Sequence, residues 1–315
     1  MKRSAKLIGR REFLRRALAA GGAAVAAPSA AEAAAPPGTP QVVVARGGSV
    51  SARLEAALQP LGGIGRFVRP GYIVAVKPNG AFAEPPATGG NTTPEVVGAI
   101  VRACRQAGAA RVIVTEHCLS SHGTFGTDND LSGVTQAARA AGAEVADAGT
   151  REALYLAADL DAPGIRSHPV NAYVLQADVV INAPRLKTHP EAGYTMGIKN
   201  LMGAMLRPDM LHAQLPMGLA CLGRALQPHV ALTIVDATDI VRGWAAGQPG
   251  RLTPLDALIA GTSVVSVDAI GVTLFGADPL ARWRCSVGDS YLRIAHEQGW
   301  GVADPRLIKR VDVNA

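Results

Sequence analysis

Four apolar runs, over 72–76, 111–115, 179–182 and 230–235, each lead into charged or amide side chains. The runs are continuous, without the polar alternation of a half-solvated strand, so they read as strands buried on both faces. They deliver Lys77 and Asn79, then Glu116 and His117, then the residues from Asn182 to His189, and finally Asp236 and Asp239. Strands of this kind belong to parallel sheets, in which ligands bind beyond the carboxyl ends. Four strands delivering polar groups at one end therefore predict one crevice.

The segments between the runs have helical spacing. Thr93 and Pro94 read as the N-cap and first position of a helix carrying Val96, Val97, Ile100, Val101 and Cys104, with Glu95 near the positive end of its dipole. The helix ends at Gly108 and feeds the strand 111–115, which makes a βαβ unit. Further helices are expected over 49–61, 131–141, 264–275 and 291–298, with two or three helical segments over 196–226 broken at Pro208 and Pro216. Additional strands are expected over 42–44, 144–148 and 257–261, and 150–170 reads as an edge hairpin or small insertion. The predicted fold is α/β, a mostly parallel sheet covered by helices on both faces, with Rossmann-like βαβ units.

Residues 1–35 stand apart. Gly9-Arg10-Arg11-Glu12-Phe13-Leu14-Arg15 precedes an Ala/Gly run, and Ala-x-Ala sequences close the segment, as in a twin-arginine signal peptide. The run is shorter than the ~20 apolar residues of a spanning helix, so no stable membrane anchor is expected. Of the chain's 31 Lys and Arg and 25 Asp and Glu, this segment holds seven and two, leaving 24 bases against 23 acids. The basic balance thus sits in the leader, and nothing in the remainder points to nucleic acid. Residues 36–315 are expected to form a single α/β domain, either undivided or in two lobes, in a protein exported by the twin-arginine machinery to the periplasm or beyond. Cys104, Cys118, Cys221 and Cys285 are too scattered for an iron–sulfur ligand pattern, and Cys104 and Cys221 fall in apolar helical runs as core fillers.

The stretch 179–205 gathers most of the candidate residues. Lys187 and His189, two apart after a buried strand, suit an anion clamp or acid/base pair, with the imidazole titrating near neutrality; a solvated surface pair is the alternative. Lys199 and Asn200, just inside a helix start, suit a carboxylate or phosphate, or else a plain cap beside an exposed lysine. Gly193, Gly197 and Gly203 are expected to let this loop turn tightly. Lys187, His189 and Lys199 are the candidate catalytic residues, and Lys77, Asn79, Asn182, Asn200 and Asp236 the candidate ligand-binding residues. Asp236 and Asp239 read equally as capping residues. Glu116 and His117, with Cys118 and His122, offer imidazole and thiolate to a soft metal ion, the alternative being a hydrogen-bonded loop histidine beside a buried thiol. Walker, dinucleotide-fingerprint and Gly-x-Ser-x-Gly motifs are absent.

VAVKPNGAF, NTTPEVVGAIVRACRQAGAARVIVTEH, ADVVINAPRLKTH, GIKNLMGAM, LTIVDAT and SVVSVDAIGVTLFG, with the closing AHEQGWGVADPRLIKRV, resemble the domain-of-unknown-function 362 family. That resemblance spans about 42–311 and implies no settled activity. The ferredoxin-like segment found in many members is missing from this sequence. The Thr-Pro helix start and the strand running into Glu116-His117 are also similar in layout to the N-terminal domain of nickel-dependent lactate racemases, whose cofactor-anchoring lysine would correspond to Lys187 or Lys199. The resulting expectation is an exported enzyme, its reaction unspecified, with a polar cleft binding a small anionic substrate or a metal-containing cofactor. A non-catalytic periplasmic anion- or metal-binding protein is the alternative.

Overall fold

The computed structural model describes residues 38–118, 125–149, 154–283 and 288–315, and the expected leader over 1–35 lies outside them. In chain order the strands are β1 (Gln41–Arg46), β2 (Ile73–Pro78), β3 (Arg111–Glu116), β4 (Glu144–Asp147), β5 (Tyr155–Ala162), β6 (Ile165–Asn171), β7 (Val179–Ala183), β8 (Arg185–His189), β9 (Gly193–Thr195), β10 (Val230–Arg242), β11 (Arg251–Gly261) and β12 (Lys309–Asn314). The α-helices are α1 (Val50–Leu58), α2 (Pro94–Gln106), α3 (Val134–Ala140), α4 (Ala172–Gln176), α5 (Gly197–Asn200), α6 (Leu215–Leu226), α7 (Val264–Leu274) and α8 (Tyr291–Glu297).

The main sheet runs β12-β1-β11-β10-β7-β2-β3-β4. Along it β11 alone is antiparallel to its neighbours, so the sheet is mixed and mostly parallel, as the continuous apolar runs require. Both faces are covered. Val43, Val74, Val76, Ile181 and Ile234 pack on the side of α1 and α2, whereas Val42, Val44, Ala75, Val180 and Val235 pack on the side of α6, α7 and α8. Period-two alternation sends neighbouring residues to opposite layers, so every position must be apolar until the strand leaves the core.

Three local expectations need correction. The stretch from 185 to 195 forms strands: β8 pairs in parallel with the far half of β10, and β9 folds back antiparallel on β8. The cause lies in β10, which runs 13 residues, well past Asp236, and offers a free ladder edge to β8. The helix expected from Leu131 begins at Val134, because the Asp130 carboxylate accepts bonds from Ser132 N and Thr135 N at 2.9 Å each and ties the preceding turn. Thr93 occupies the N-cap of α2, but its hydroxyl makes no capping bond; its backbone N–H donates to Asp236 Oδ2 at 2.7 Å. Where the sequence predicts an edge hairpin or small insertion, Tyr155–Ala162 and Ile165–Asn171 form the β5–β6 hairpin, a separate two-stranded sheet.

Candidate functional site

The ends of β2, β3 and β7 meet. In register, Lys77 lies beside Asn182, and Val76 beside Val114 two residues before Glu116. Lys77, fully buried, donates from Nζ to Glu116 Oε2 at 2.7 Å and to Pro78 O at 2.8 Å, with Asn200 Oδ1 at 3.4 Å. Burial pulls the Lys77 ammonium below its usual range, and the Glu116 carboxylate opposes that pull. Glu116 also accepts from Gly80 N and His117 N at 3.0 and 2.8 Å. The Asn200 amide donates to Lys77 O at 3.0 Å and to Asn182 Oδ1 at 2.8 Å, while Asn182 donates to Gly197 O. This network has little unmet demand. It also explains Gly203: a Cβ there would collide with Glu116 Oε1 and lie 2.8 Å from Lys77 Nζ. Gly203 is thus a close-approach glycine with no positive φ, and of the three expected turn glycines only Gly193 has one, at 76°.

A second buried pair was not foreseen from sequence. Arg185, at the start of β8, reaches Asp236 at 2.8 Å and Asp239 at 2.7 Å. Asp236 also accepts from Thr93 N and Thr238 N, so it joins β8, β10 and the start of α2. It does not line the cleft, and its contacts are those of a brace.

Above the Lys77 network lies a cleft of about 380 Å³, lined among others by Asn79, Glu116, Lys187, His189, Lys199, Asn200 and Trp244. Because 185, 187 and 189 alternate along β8, their side chains share a face. Lys187 is 1% exposed. Its Nζ donates to Gly90 O and sits 3.5 Å from the centroid of the Trp244 ring, with Phe82 at 5.1 Å. Burial drives its pKa far down, and the Lys199 charge adds to that effect. Lys199 is half-buried and makes no hydrogen bond or ion pair among the described residues; burial lowers it to about 8. Asn79, also buried, has an Oδ1 without a partner among the described residues.

His189 behaves differently from expectation. Its Nδ1 accepts from Glu191 N and Ala192 N, both at 3.1 Å, which leaves the proton on Nε2. Burial, then the Lys199 and Lys187 charges, push the imidazole down to about 3, so it does not titrate near neutrality. It is a neutral hydrogen-bond donor. The Lys199-Asn200 helix start is also not an open anion site: α5 has four residues, and its Gly197 and Ile198 N–H groups already donate to the Asp268 carboxylate at 2.6 and 2.9 Å. Burial pushes Asp268 up to about 7.

The metal reading of Glu116 and His117 meets a poor donor set. The Glu116 carboxylate is engaged by Lys77, and His117 Nδ1 faces Met205 O and Tyr155 OH, each at 3.1 Å. A carbonyl partner makes Nδ1 the donor and leaves only Nε2 with a lone pair. Cys118 Sγ lies 3.4 Å from Ala81 O, and His122 is outside the described residues. Among the described residues no three His, Cys, Asp or Glu side chains group as a metal site. The described residues therefore do not fit a resident metal.

Reading the sequence missed Glu84, Trp244 and Asp268. Glu84 accepts from Trp244 Nε1 at 3.1 Å and Gly247 N at 2.9 Å, holding the indole over Lys187. A signal was present in Trp244, since aromatics make up only 4% of the chain.

The family model described as Domain of unknown function (DUF362) matches residues 74–273. A stretch of 158 residues, 50% of the chain, is 34% identical to Thylakoid-associated protein sll1697 of Synechocystis sp.. It covers 47% of that protein, so the chain spans about half the length of the curated relative it matches. A Thermotoga maritima crystal structure matches with a TM-score of 0.45 at 11% identity, over 72% of this chain and 58% of the other. The lactate racemase apoprotein of Thermoanaerobacterium thermosaccharolyticum matches with a TM-score of 0.42 at 12% identity, over 70% and 54%. Neither likeness bears on chemistry.

Proposed function

The chain belongs to the DUF362 family, and from that premise we propose that it is an exported enzyme whose cleft binds a small organic acid on Lys199 and moves a proton through Lys187. The observation that carries this reading is the unequal pair of lysines in one cleft. Lys187 is desolvated and lies near a second cation, conditions that favour the neutral amine, the form that accepts a proton. Lys199 holds its charge at neutral pH, and although the Glu191 carboxylate acts on it through space, no ion pair closes on its ammonium among the described residues. A carboxylate entering the cleft would meet that ammonium and the Nε2–H of His189. The roles are thus redistributed relative to the sequence reading: Lys187 takes the proton and His189 donates a fixed hydrogen bond. Asn79 and Asn200 border the ligand, while Lys77, Asn182, Glu116 and Asp236 hold the walls.

Export rests on the twin-arginine pattern at 10–11 and the short Ala/Gly run after it. Among the described residues no helix is long and apolar enough to cross a membrane. Cell fractionation of the full chain, with Arg10 and Arg11 changed to lysine as the comparison, tests the address.

The chemistry is tested with 2-oxobutyrate in deuterated buffer, following exchange of its C3 protons by NMR alongside calorimetry. Binding weakened by Lys199→Met, with exchange abolished by Lys187→Met, is expected. Binding without exchange would make the protein a carrier of acids, and absence of binding to both 2-oxobutyrate and inorganic phosphate would remove the anion reading altogether.

A further inference from the structure

Beside the lysine cleft lies a second and larger chamber of about 570 Å³. His189, Pro190, Trp244 and Ala245 line both, so the two share a wall built from the end of β8 and the segment after β10. The chamber's remaining lining includes Tyr194 of β9 and Trp283 beyond α7.

The chamber concentrates a scarce resource. The chain has three tryptophans, five tyrosines and five phenylalanines, and two of the tryptophans line this one space. More rings stand behind them. Tyr194 meets Trp283 edge to face at 4.9 Å and 86°, Trp283 meets Tyr291 at 5.2 Å and 87°, and Tyr194 lies 5.0 Å from Phe275. Edge-to-face contacts fix ring orientations. Trp283 is further anchored by an Nε1 bond to Asp278 O at 3.2 Å, and Gly193 lets β9 pass close to it, since a Cβ there would stand 2.6 Å from Trp283 Cε3. Rings held in this way form a preorganised surface for another flat apolar group, which binds without reordering its walls.

The geometry points to a ligand in two parts: an aromatic carboxylic acid, with its ring in the chamber of Tyr194, Trp244 and Trp283 and its acid group across the shared wall on Lys199. The ring site stands on the chamber alone, and the acid end rests on the anion reading proposed above.

Three probes separate the two parts by calorimetry: acetate for the acid, indole for the ring and indole-3-acetate for both. Indole-3-acetate should bind at least about ten-fold more tightly than either fragment. Trp283→Ala should weaken indole and indole-3-acetate while sparing acetate, and Lys199→Met should weaken both acids while sparing indole. Trp283 also packs in the core, so Ala281→Trp, which fills the chamber from its exposed rim, provides a second test: it should abolish indole binding in a folded protein and leave acetate in place. If indole does not bind, or indole-3-acetate binds no better than acetate and ignores Ala281→Trp, the ring site is wrong even though the anion site survives. Indole binding that is lost in Ala281→Trp, with no binding of acetate, would keep the ring site and sink the anion reading.

Discussion

Lys77 on β2 and Lys187 on β8 are both shut away from water, yet their surroundings differ in kind. Lys77 has a carboxylate at 2.7 Å, and that carboxylate has two further backbone donors. Lys187 has one carbonyl and two aromatic faces and no ion pair among the described residues, and the Lys199 charge weighs on it more than the more distant support of Glu84 and Glu116. A buried ammonium with a matched partner stabilises its surroundings when present and costs a great deal when half of the pair is lost; one without a partner is a standing cost. Proteins keep standing costs mainly where the group has work to do, so the contrast separates frame from reaction centre.

The comparison is tested most severely by making the same substitution at both positions. Lys77→Met should lose about 3–5 kcal/mol in denaturant unfolding, because it strands Glu116 without a counter-charge. Lys187→Met should instead gain stability near neutral pH, on the order of 1 kcal/mol, since an apolar chain of similar length under Trp244 needs no desolvated amine. The sign with pH follows from the lowered pKa. Between the folded pKa and 10.5 the folded protein binds fewer protons than the unfolded chain, so wild-type stability rises with pH and the advantage of the variant fades toward pH 10. If both variants were destabilised alike, Lys187 would belong to the frame.

Asp268 sharpens the same contrast from the acidic side. Raised from 3.8 to about 7, it lets the folded state bind more protons than the unfolded chain over that interval. Its contribution is therefore fully present below about pH 4 and is lost as pH rises through 7. Asp268→Asn should flatten that part of the stability-against-pH curve and cost about 1–3 kcal/mol at pH 7 through the bonds to α5, as read by thermal unfolding across pH. The smallest effect concerns His189. With its pKa near 3, its ring carbon shifts in NMR should stay flat from pH 5 to 8, whereas a midpoint near 6.5 would return it to the role of proton carrier.

Much of the frame was readable in the chain. The continuous apolar runs announced strands buried on both sides, and the βαβ unit around α2 followed from Pro94 and Gly108, because these signals act over a few residues. The pairing of charges was not readable. Lys77 and Glu116 are 39 residues apart, and Lys77 and Asn200 are 123 apart, so nothing local distinguishes the satisfied lysine from the unsatisfied one. The strands β8 and β9 were missed for a related reason: Arg185-Leu186-Lys187-Thr188-His189 has the composition of a loop, and only the overlong β10 beside it makes it a strand. The titration of His189 near neutrality was not a reading the structure supports, since burial and two backbone donors are not written in the residue type.

The position of β1 bears on how the molecule comes off the ribosome. Its ladder partners are β11 and β12, which begin at residues 251 and 309. Whatever precedes residue 38 is tethered to a strand whose ladder partners are made about 200 residues later or more. The joint next to the N-terminal segment thus waits on distant parts of the chain: β1 gains its ladder bonds only once β11 and β12 have emerged.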